Sequence, residues 1–246
     1  NVTGTENVIK GCRKENVGML VHTSSPSVVL HAGNTENADE SIHYPAGYLA
    51  SYPETKAIAE RAVLNAHSKH FSTVAIRPHL IWGPGDPHLI PRIIAMARKG
   101  KLARVGDGRN LVDLTFVDNA ALAHIFAAES LRDSHNANGK AYFISDEKPV
   151  VLWDWINTLL EKMEIPPVKK AVSYRKAYLA GALLEMAYKL FNLKGEPPMT
   201  RFVAAQLAFS HYFNISAAKK DIYYKIWISP ESGMKKTVKW LKENNI

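Results

Sequence analysis

The stretch MLVHTSS at residues 19–25 is an apolar run that ends abruptly in hydroxyl residues. Its first five residues predict a short buried strand that ends at Thr23. A second run, STVAIR at residues 72–77, predicts another strand, which Pro78 closes. A helical pattern at residues 51–66 lies between them. Strand, helix and strand in this order predict an α/β fold with a parallel sheet and crossover helices.

The segments next to these strands carry signals of the same kind. Residues 1–14 have apolar residues at helical spacing and predict a helix before the first strand. Residues 26–50 are rich in Ser, Gly, Pro, Asn and His and predict a long loop, which at this length is usually functional or disordered. Ser51 and Glu54 predict a capping box at the start of the next helix, with Pro53 in its first turn.

The second half of the sequence changes its pattern after Gly83-Pro84-Gly85 and becomes mainly helical. We therefore predict that residues 1–84 belong to the sheet domain and that residues 85–246 mainly form a smaller substrate-binding lobe. Some elements of the second part, at about residues 103–131, are predicted to pack back into the core of the sheet domain. In order, the predicted elements are helix 88–99, strands 103–105 and 111–116, a helix from its cap Asp118 to Leu131, strand 141–144, and helices 152–163, 175–192, 200–209 and 230–243.

Composition and charge exclude several classes of protein. Of the 246 residues, 46% are hydrophobic and 22% are charged, which is typical of a globular domain and not of a disordered or fibrous chain. No apolar run reaches the ~18 residues of a membrane span, and residues 1–4 do not begin a signal peptide. The net charge of +8 is spread along the chain without a nucleic-acid motif, so we predict a solvated basic surface and no nucleic-acid partner.

The single cysteine and the ten histidines limit the redox and metal chemistry. Cys12 alone excludes an internal disulfide and a thiolate zinc site, which favours a reducing, cytoplasmic location. The histidines show no HExxH or similar ligand spacing, so we predict no metal.

Tyr52 and Lys56 are the first candidates for chemistry, because a spacing of four on a helix puts both side chains on one face. A free tyrosine has a pKa of about 10, and a lysine ammonium one turn away lowers it. The pair then suits proton transfer between a carbonyl and an alcohol. Ser25 follows the first strand, where parallel sheets place their sites, and can hydrogen-bond the reacting oxygen. Two alternatives to a catalytic role stay open. The Tyr-x-x-x-Lys spacing can arise by chance in an amphipathic helix, and Ser24 and Ser25 can be residues that only form the turn.

Four motifs along the chain resemble the extended short-chain dehydrogenase/reductases. They are Asn1-Val2-Thr3-Gly4-Thr5, Thr23-Ser24-Ser25, Tyr52-Pro53-Glu54-Thr55-Lys56, and RPHLIWGP at residues 77–84. Within that superfamily, the 3β-hydroxysteroid dehydrogenase group is the most similar, including the sterol-4α-carboxylate 3-dehydrogenases and the 2-alkyl-3-oxoalkanoate reductases. RPHLIWGPGDPHLIPRII (77–94) and VGDGRNLVDLTFVDNAALAH (105–124) carry this similarity. The resemblance covers nearly the whole chain, is weakest beyond about residue 165, and implies a Rossmann-like fold.

This resemblance implies an oxidoreductase that uses NAD or NADP. Tyr52 would act as the general acid or base, Lys56 would bind the nicotinamide ribose and lower the pKa of Tyr52, and Ser25 would hydrogen-bond the reacting oxygen. Asn1 matches an asparagine that supports the site from the preceding helix. The residues that would contact the cofactor are Thr23, Tyr52, Lys56, Pro78, His79, Leu80 and Ile81.

One element of this superfamily is missing from the sequence. Dinucleotide folds begin with a strand and a Gly-rich turn, whereas Gly83-x-Gly85 and Gly106-x-Gly108 come too late and lack a third glycine. With βαβ units of about 30 residues, we expect that roughly 80–90 residues precede Asn1 in a complete protein. The Rossmann-like sheet would then be incomplete at its N-terminus. The alternative is a chain that starts here and binds dinucleotide weakly or not at all.

The 26–50 loop and the C-terminal lobe are expected to form the substrate side, with Leu49 and Trp82 in an apolar pocket. We expect a small, apolar substrate, which is sterol-like or a long-chain 3-oxo or 3-hydroxy compound, and a homodimer. A stripe at helical spacing along 175–192 indicates core or, given the flanking Lys and Arg, peripheral contact with a membrane surface. The alternative functions are a nucleotide-sugar epimerase or dehydratase, and a non-catalytic NAD(P)-sensing protein. The stripe consists of Tyr178, Leu179, Leu183, Met186 and Leu190.

Overall fold

The computed structural model describes residues 1–134, 136–195 and 197–246. The helices are α1 (Val2–Lys14), α2 (Ser51–Asn65), α3 (Leu89–Arg98), α4 (Val117–Asp133), α5 (Leu152–Lys162), α6 (Tyr174–Leu190), α7 (Arg201–Ala208), α8 (Ser216–Asp221) and α9 (Pro230–Glu243), with a 3-10 turn at Pro26–Val28. The strands are β1 (Met19–Thr23), β2 (Thr35–Ala38), β3 (Ser72–Pro78), β4 (Ile81–Trp82), β5 (Arg104–Val105), β6 (Leu111–Val112), β7 (Thr115–Phe116), β8 (Lys140–Ile144), β9 (Val150–Val151), β10 (Ala171–Val172) and β11 (His211–Phe213). The eight predicted helices are confirmed to within two residues at each end.

A three-stranded parallel sheet organises the first half of the chain, in the order β1–β3–β8. Met19 pairs with Ser72, and Val74 pairs with Lys140. The predicted α/β fold with a parallel, Rossmann-like sheet is confirmed. From the second half of the chain, strand β8 is the third strand of this sheet and helix α4 packs against it.

Helices cover both faces of the sheet. Helix α4 packs on β1 and β3, α2 packs on β3, and α1 packs on α2. Strand β3 is buried along its whole length, and Val74 and Ile76 have no exposed surface. A strand that is covered on both faces needs apolar residues throughout, which explains the unbroken apolar run in its sequence.

A second hydrophobic core organises the C-terminal lobe. Helix α5 packs with α3 and α9, and Phe116 and Trp153 lie in the core between them. Helices α6 and α7 pack side by side, and Gly181 permits their close approach. A Cβ at Gly181 would stand 2.6 Å from the Thr200 carbonyl carbon, so a side chain there would force the two backbones apart.

Three local predictions are wrong. Helix α2 begins at Ser51 itself and has no side-chain cap, so Ser51 and Glu54 do not form a capping box. Helix α4 likewise begins one residue before Asp118, which lies in its first turn and does not cap it. In both helices the residue before the first turn is already extended, and the acidic side chain stabilises the helix through its dipole instead. The 26–50 loop contains β2, which pairs with the distant β11 through a contact that no local pattern indicates.

Candidate active site

The carboxyl end of β1 holds the lysine of the Tyr-x-x-x-Lys pair. Lys56 Nζ, from the second turn of α2, donates a hydrogen bond to the Thr23 carbonyl oxygen at 2.5 Å. Thr23 is the last residue of β1, so its carbonyl lies at the edge where parallel sheets place their ligands. The structure therefore brings together two of the predicted site residues from separate elements.

Tyr52 lies in the first turn of α2, and its side chain is 50% exposed. It precedes Lys56 by one helical turn, so both side chains leave the same face of α2. Its backbone carbonyl accepts a hydrogen bond from Thr55 Oγ1 at 3.1 Å, and Thr55 Oγ1 accepts one from Asn1 Nδ2 at 3.0 Å. Asn1 is therefore linked to the backbone of Tyr52 through Thr55.

Burial adjusts the charges around Lys56. Burial lowers the pKa of the Lys56 amine below its usual value, and the charge of Glu60 opposes that change. Burial and, to a smaller extent, the nearby Lys56 ammonium lower the pKa of His22 to about 4. His22 is therefore neutral at pH 7, and the positive charge at this edge of β1 belongs to Lys56.

Thr23 also reaches the other face of the sheet. Its Oγ1 lies 2.8 Å from His124 Nε2, and His124 Nδ1 lies 2.7 Å from the Ala120 carbonyl oxygen. A carbonyl oxygen only accepts, so Nδ1 carries the His124 proton and the Thr23 hydroxyl donates to Nε2. This bond fixes the Thr23 side chain on α4 while its carbonyl holds Lys56.

Ser25 caps the 3-10 turn that follows β1. Its Oγ accepts a hydrogen bond from the Ser27 amide at 3.2 Å, and its side chain is half-buried. In the described part of the chain, no hydrogen bond joins Ser25 to Tyr52 or Lys56. Ser25 therefore has the role in the turn that the sequence analysis gives as the alternative. Its hydroxyl proton remains available for a further acceptor.

The predicted cofactor segment at the end of β3 divides between core and surface. Pro78 is buried as the last residue of β3, and Ile81 is exposed. Leu80 is half-buried, with a left-handed backbone (φ of 38°) that turns the chain sharply at the sheet edge. The His79 side chain is buried, so it faces the interior and not the sheet edge.

His79 and His211 form a buried hydrogen-bonded pair. His79 Nε2 lies 2.6 Å from His211 Nδ1, and His211 Nε2 lies 2.9 Å from the Gln206 carbonyl oxygen. Since the carbonyl accepts, His211 Nε2 carries a proton, its Nδ1 accepts, and His79 Nε2–H donates. Burial lowers the pKa of both rings, so both are neutral.

A buried ion pair, which the sequence analysis does not predict, fixes α2 to the sheet. Glu60 follows Lys56 by one turn and accepts two hydrogen bonds from Arg77, at 2.9 and 2.7 Å, and one from the Tyr44 hydroxyl. Its side chain is 0% exposed and that of Arg77 is 4% exposed. Burial alone would raise the pKa of the Glu60 carboxyl, but the hydrogen bonds and charge of Arg77 hold it below its usual value. The one sequence signal for this ion pair is Arg77 itself, a single charged residue in the otherwise apolar run of β3.

A cavity of about 230 Å³ opens beside the first turn of α2. Its walls include Leu49 and, next to Tyr52, Pro53. Helix α7 closes the opposite side with Phe202 and Gln206. Leu49 therefore lies where the sequence predicts, whereas Trp82 is buried in the second core against Phe116, because its ring is needed to fill that core.

A larger cavity of about 650 Å³ lies between the end of α3 and the segment after α5. Of the two cavities, only the smaller is lined by Leu49, which the sequence predicts in an apolar pocket, and by Pro53, the chain neighbour of Tyr52, so the smaller cavity is the candidate substrate site. In the ranges that the structure describes, no group of three or more His, Cys, Asp or Glu side chains is placed to hold a metal ion.

Comparisons with known proteins show which proteins the chain is similar to. The family model described as the 3-beta hydroxysteroid dehydrogenase/isomerase family matches residues 1–173. A 2-alkyl-3-oxoalkanoate reductase of Stenotrophomonas maltophilia is 46% identical over 239 residues, which cover 96% of this chain and 72% of that protein. The decarboxylating sterol-4-alpha-carboxylate 3-dehydrogenase of Mus musculus is 37% identical, with 97% and 67% covered. The solved UDP-glucuronic acid 4-epimerase of Bacillus cereus, in complex with NAD, has a TM-score of 0.69 at 19% identity, with 98% and 67% covered.

The parallel sheet with helices packed on it is the fold of the extended short-chain dehydrogenase/reductases. Within that class, the chain belongs to the 3-beta hydroxysteroid dehydrogenase/isomerase family. The family is one of oxidoreductases, and its relatives are named as dehydrogenases and reductases. The resemblance that the sequence motifs predict is therefore confirmed.

Proposed function

We propose that the protein interconverts a secondary alcohol and a ketone on a long-chain or sterol-like 3-hydroxy or 3-oxo substrate, with NAD or NADP as the hydride carrier. The observation that carries this proposal is the anchoring of Lys56 on the Thr23 carbonyl, one turn from the exposed Tyr52. The relatives named above support the substrate class, because one is named for a 3-oxoalkanoate and the other for a sterol carboxylate.

The residues at the end of β1 fit the nicotinamide end of such a cofactor. Lys56 donates one N–H to Thr23, so a three-donor ammonium has two N–H groups for ribose hydroxyls. Leu80 and Ile81 follow β3 at the same end of the sheet and would line the nicotinamide. When bound, the nicotinamide gives or takes the hydride.

The chain itself supplies the proton and the positioning. In reduction, the Tyr52 hydroxyl donates a proton to the carbonyl oxygen as it gains negative charge, and in oxidation the same oxygen accepts one. The Lys56 ammonium stabilises negative charge on that oxygen across one helical turn. Ser25 donates its hydroxyl proton to the reacting oxygen and holds the substrate in line with Tyr52.

A substrate comparison on the full-length enzyme tests this function. We expect turnover of 2-alkyl-3-oxo acids or 3-hydroxysteroid acids, followed by the absorbance of the reduced nicotinamide, and none of UDP- or dTDP-hexoses. Turnover of the nucleotide sugars alone would establish the epimerase or dehydratase alternative. Cofactor binding without turnover of any alcohol or ketone would establish the sensing alternative.

Helix α6 presents an unusual exposed surface, which we call the α6 apolar face. The side chains of this face are 62–73% exposed and are not core, whereas Tyr178, the first residue of the predicted stripe, is half-buried and not part of this face. Gly181 and Ala177, which are both small, make the buried contact with the rest of the lobe. The members of the α6 apolar face are Leu179, Leu183, Met186, Leu190 and Phe191.

We propose that the α6 apolar face lies on an anionic membrane surface. Arg175, Lys176, Lys189 and Lys194 flank it, and basic residues beside an apolar face favour anionic lipid headgroups. Within the described ranges, no helix has the length and apolar character needed to cross a bilayer. Neighbouring α7 lines the candidate substrate cavity, so a lipid-like substrate would enter from the same side.

Vesicle sedimentation tests the membrane contact. We expect binding to phosphatidylserine-containing vesicles that weakens with salt, and an at least tenfold loss of binding in the Leu183→Glu/Met186→Glu double variant, which puts charge into the apolar face. Ile125→Glu, on the exposed side of α4, is the matched control and should bind like the wild type. Binding of the double variant equal to that of the wild type would contradict the proposal. A molar mass of the double variant in solution that is half that of the wild type would also contradict it, because the face would then join two copies of the chain.

The homodimer and the cytoplasmic location stay predictions. Val8 of α1 and Ile58 of α2 are exposed on neighbouring helices, which supports contact with a second copy there. Such a contact would use a surface other than the α6 apolar face, so the two proposals are compatible.

A further inference from the structure

The cavity beside Tyr52 has a mixed lining. Most of its lining residues are apolar, and the exceptions are His31, in the segment after β1, and Gln206, in α7. None of the described residues that line it is acidic. Such a lining suits a ligand that is mainly apolar and carries one polar or anionic group.

The backbones of both polar residues are fixed. The His31 carbonyl oxygen accepts a hydrogen bond from the Gly33 amide at 3.0 Å, which closes a tight turn. A Cβ at Gly33 would stand 3.3 Å from His31 Nε2, so the imidazole ring lies directly over this glycine. The Gln206 carbonyl is held by His211. Both side chains therefore start from defined positions on the cavity wall.

We propose that His31 and Gln206 form a carboxylate-binding subsite for substrates that carry a carboxylate on the carbon next to the reacting carbon. This inference rests on the proposed function. His31 and Gln206 each offer an N–H donor, and a carboxylate has two oxygens to accept them. Pro53 lines the same cavity and directly follows Tyr52, so the cavity opens at the helical turn that carries the proposed proton donor.

The two relatives point to the same class of ligand. A 2-alkyl-3-oxoalkanoate and a sterol 4-carboxylate both carry the carboxylate one carbon away from position 3. In such a molecule the carboxylate and the reacting oxygen are close together. A donor pair beside Tyr52 would hold the carboxylate while Tyr52 meets the oxygen, and the apolar tail would lie along Leu30, Leu49 and Phe202.

The test compares an acid with its neutral ester on the full-length enzyme. For a 2-alkyl-3-oxo acid, we expect His31→Leu and Gln206→Leu each to raise KM about tenfold with kcat nearly unchanged, because a charge-assisted hydrogen bond made equally in both states is lost. For the methyl ester, KM should stay within about twofold of the wild type. His31→Gln, which keeps an N–H donor, should recover part of the acid preference.

His43→Gln is the matched control, since His43 is exposed in the same segment and does not line the cavity. Its KM values should equal those of the wild type. An unchanged acid-to-ester ratio in both leucine variants, with normal turnover, would overturn the subsite and leave the oxidoreductase function intact. Absence of turnover of both the acid and the ester by the wild type would instead overturn the function on which the subsite rests.

Discussion

Tyr52→Phe in the full-length enzyme is expected to lower kcat by about 100- to 10,000-fold, the range that a general acid or base contributes. The substitution removes a single oxygen atom from an exposed side chain and leaves the ring to pack as before. Lys56 keeps its bond to the Thr23 carbonyl, so the nicotinamide end of the site is unchanged. Steady-state reduction of a 3-oxo acid measures the loss.

Two controls make this result specific. Cofactor binding, followed by fluorescence, should stay within about twofold of the wild type, since the substitution spares Lys56. Tyr223→Phe removes the hydroxyl of another exposed tyrosine and should leave kcat unchanged. Turnover of Tyr52→Phe at the wild-type rate would refute the assignment of Tyr52 as the proton donor.

Arg77→Met is expected to destabilise the fold by about 3–5 kcal/mol, because it leaves the Glu60 carboxylate buried without its cation. Urea unfolding measures this change. Arg132→Met is the control: Arg132 and its partner Asp133 are both exposed, and we expect no measurable change in the urea midpoint. Equal effects of the two substitutions would contradict the role given to the buried pair.

A double variant separates the loss of the pair from the loss of packing. Glu60→Leu together with Arg77→Met removes both charges, and we expect it to recover much of the stability lost in Arg77→Met alone. The pH dependence has a fixed sign. The pKa of Glu60 is lower in the folded protein than in the unfolded chain, so the pair stabilises the fold above about pH 4.3. That stabilisation is lost as the pH falls through the folded-state pKa.

Local patterns predict the parts of the fold that depend on neighbouring residues. The apolar run of β1, the helix that carries Tyr52 and Lys56, and the parallel pairing of β1 with β3 all follow from spacing and order. The sequence names Thr23 and Lys56 as residues of one site, and the bond between them is a finding of the structure.

Local sequence patterns do not predict contacts between segments that are far apart in the chain. His79 meets His211 across 132 residues, and the pairing of β2 with β11 joins segments at opposite ends of the chain. A motif places His79 in a cofactor segment, but only the packing of the lobe shows that its ring faces inward. The stripe on α6 has the same helical period whether it is buried or exposed, so periodicity alone does not separate core from surface.

The paired imidazoles of His79 and His211 join the turn after β3 to strand β11, and this contact depends on pH. The facing nitrogens lie 2.6 Å apart, which requires one to donate and the other to accept. A proton added to the accepting nitrogen would set two N–H groups against each other. Burial lowers the pKa of both rings below that of a free histidine. As the pH falls, the unfolded chain therefore binds these protons before the folded protein does. Below about pH 6.5 the folded state that contains the His79–His211 contact loses stability relative to the unfolded chain.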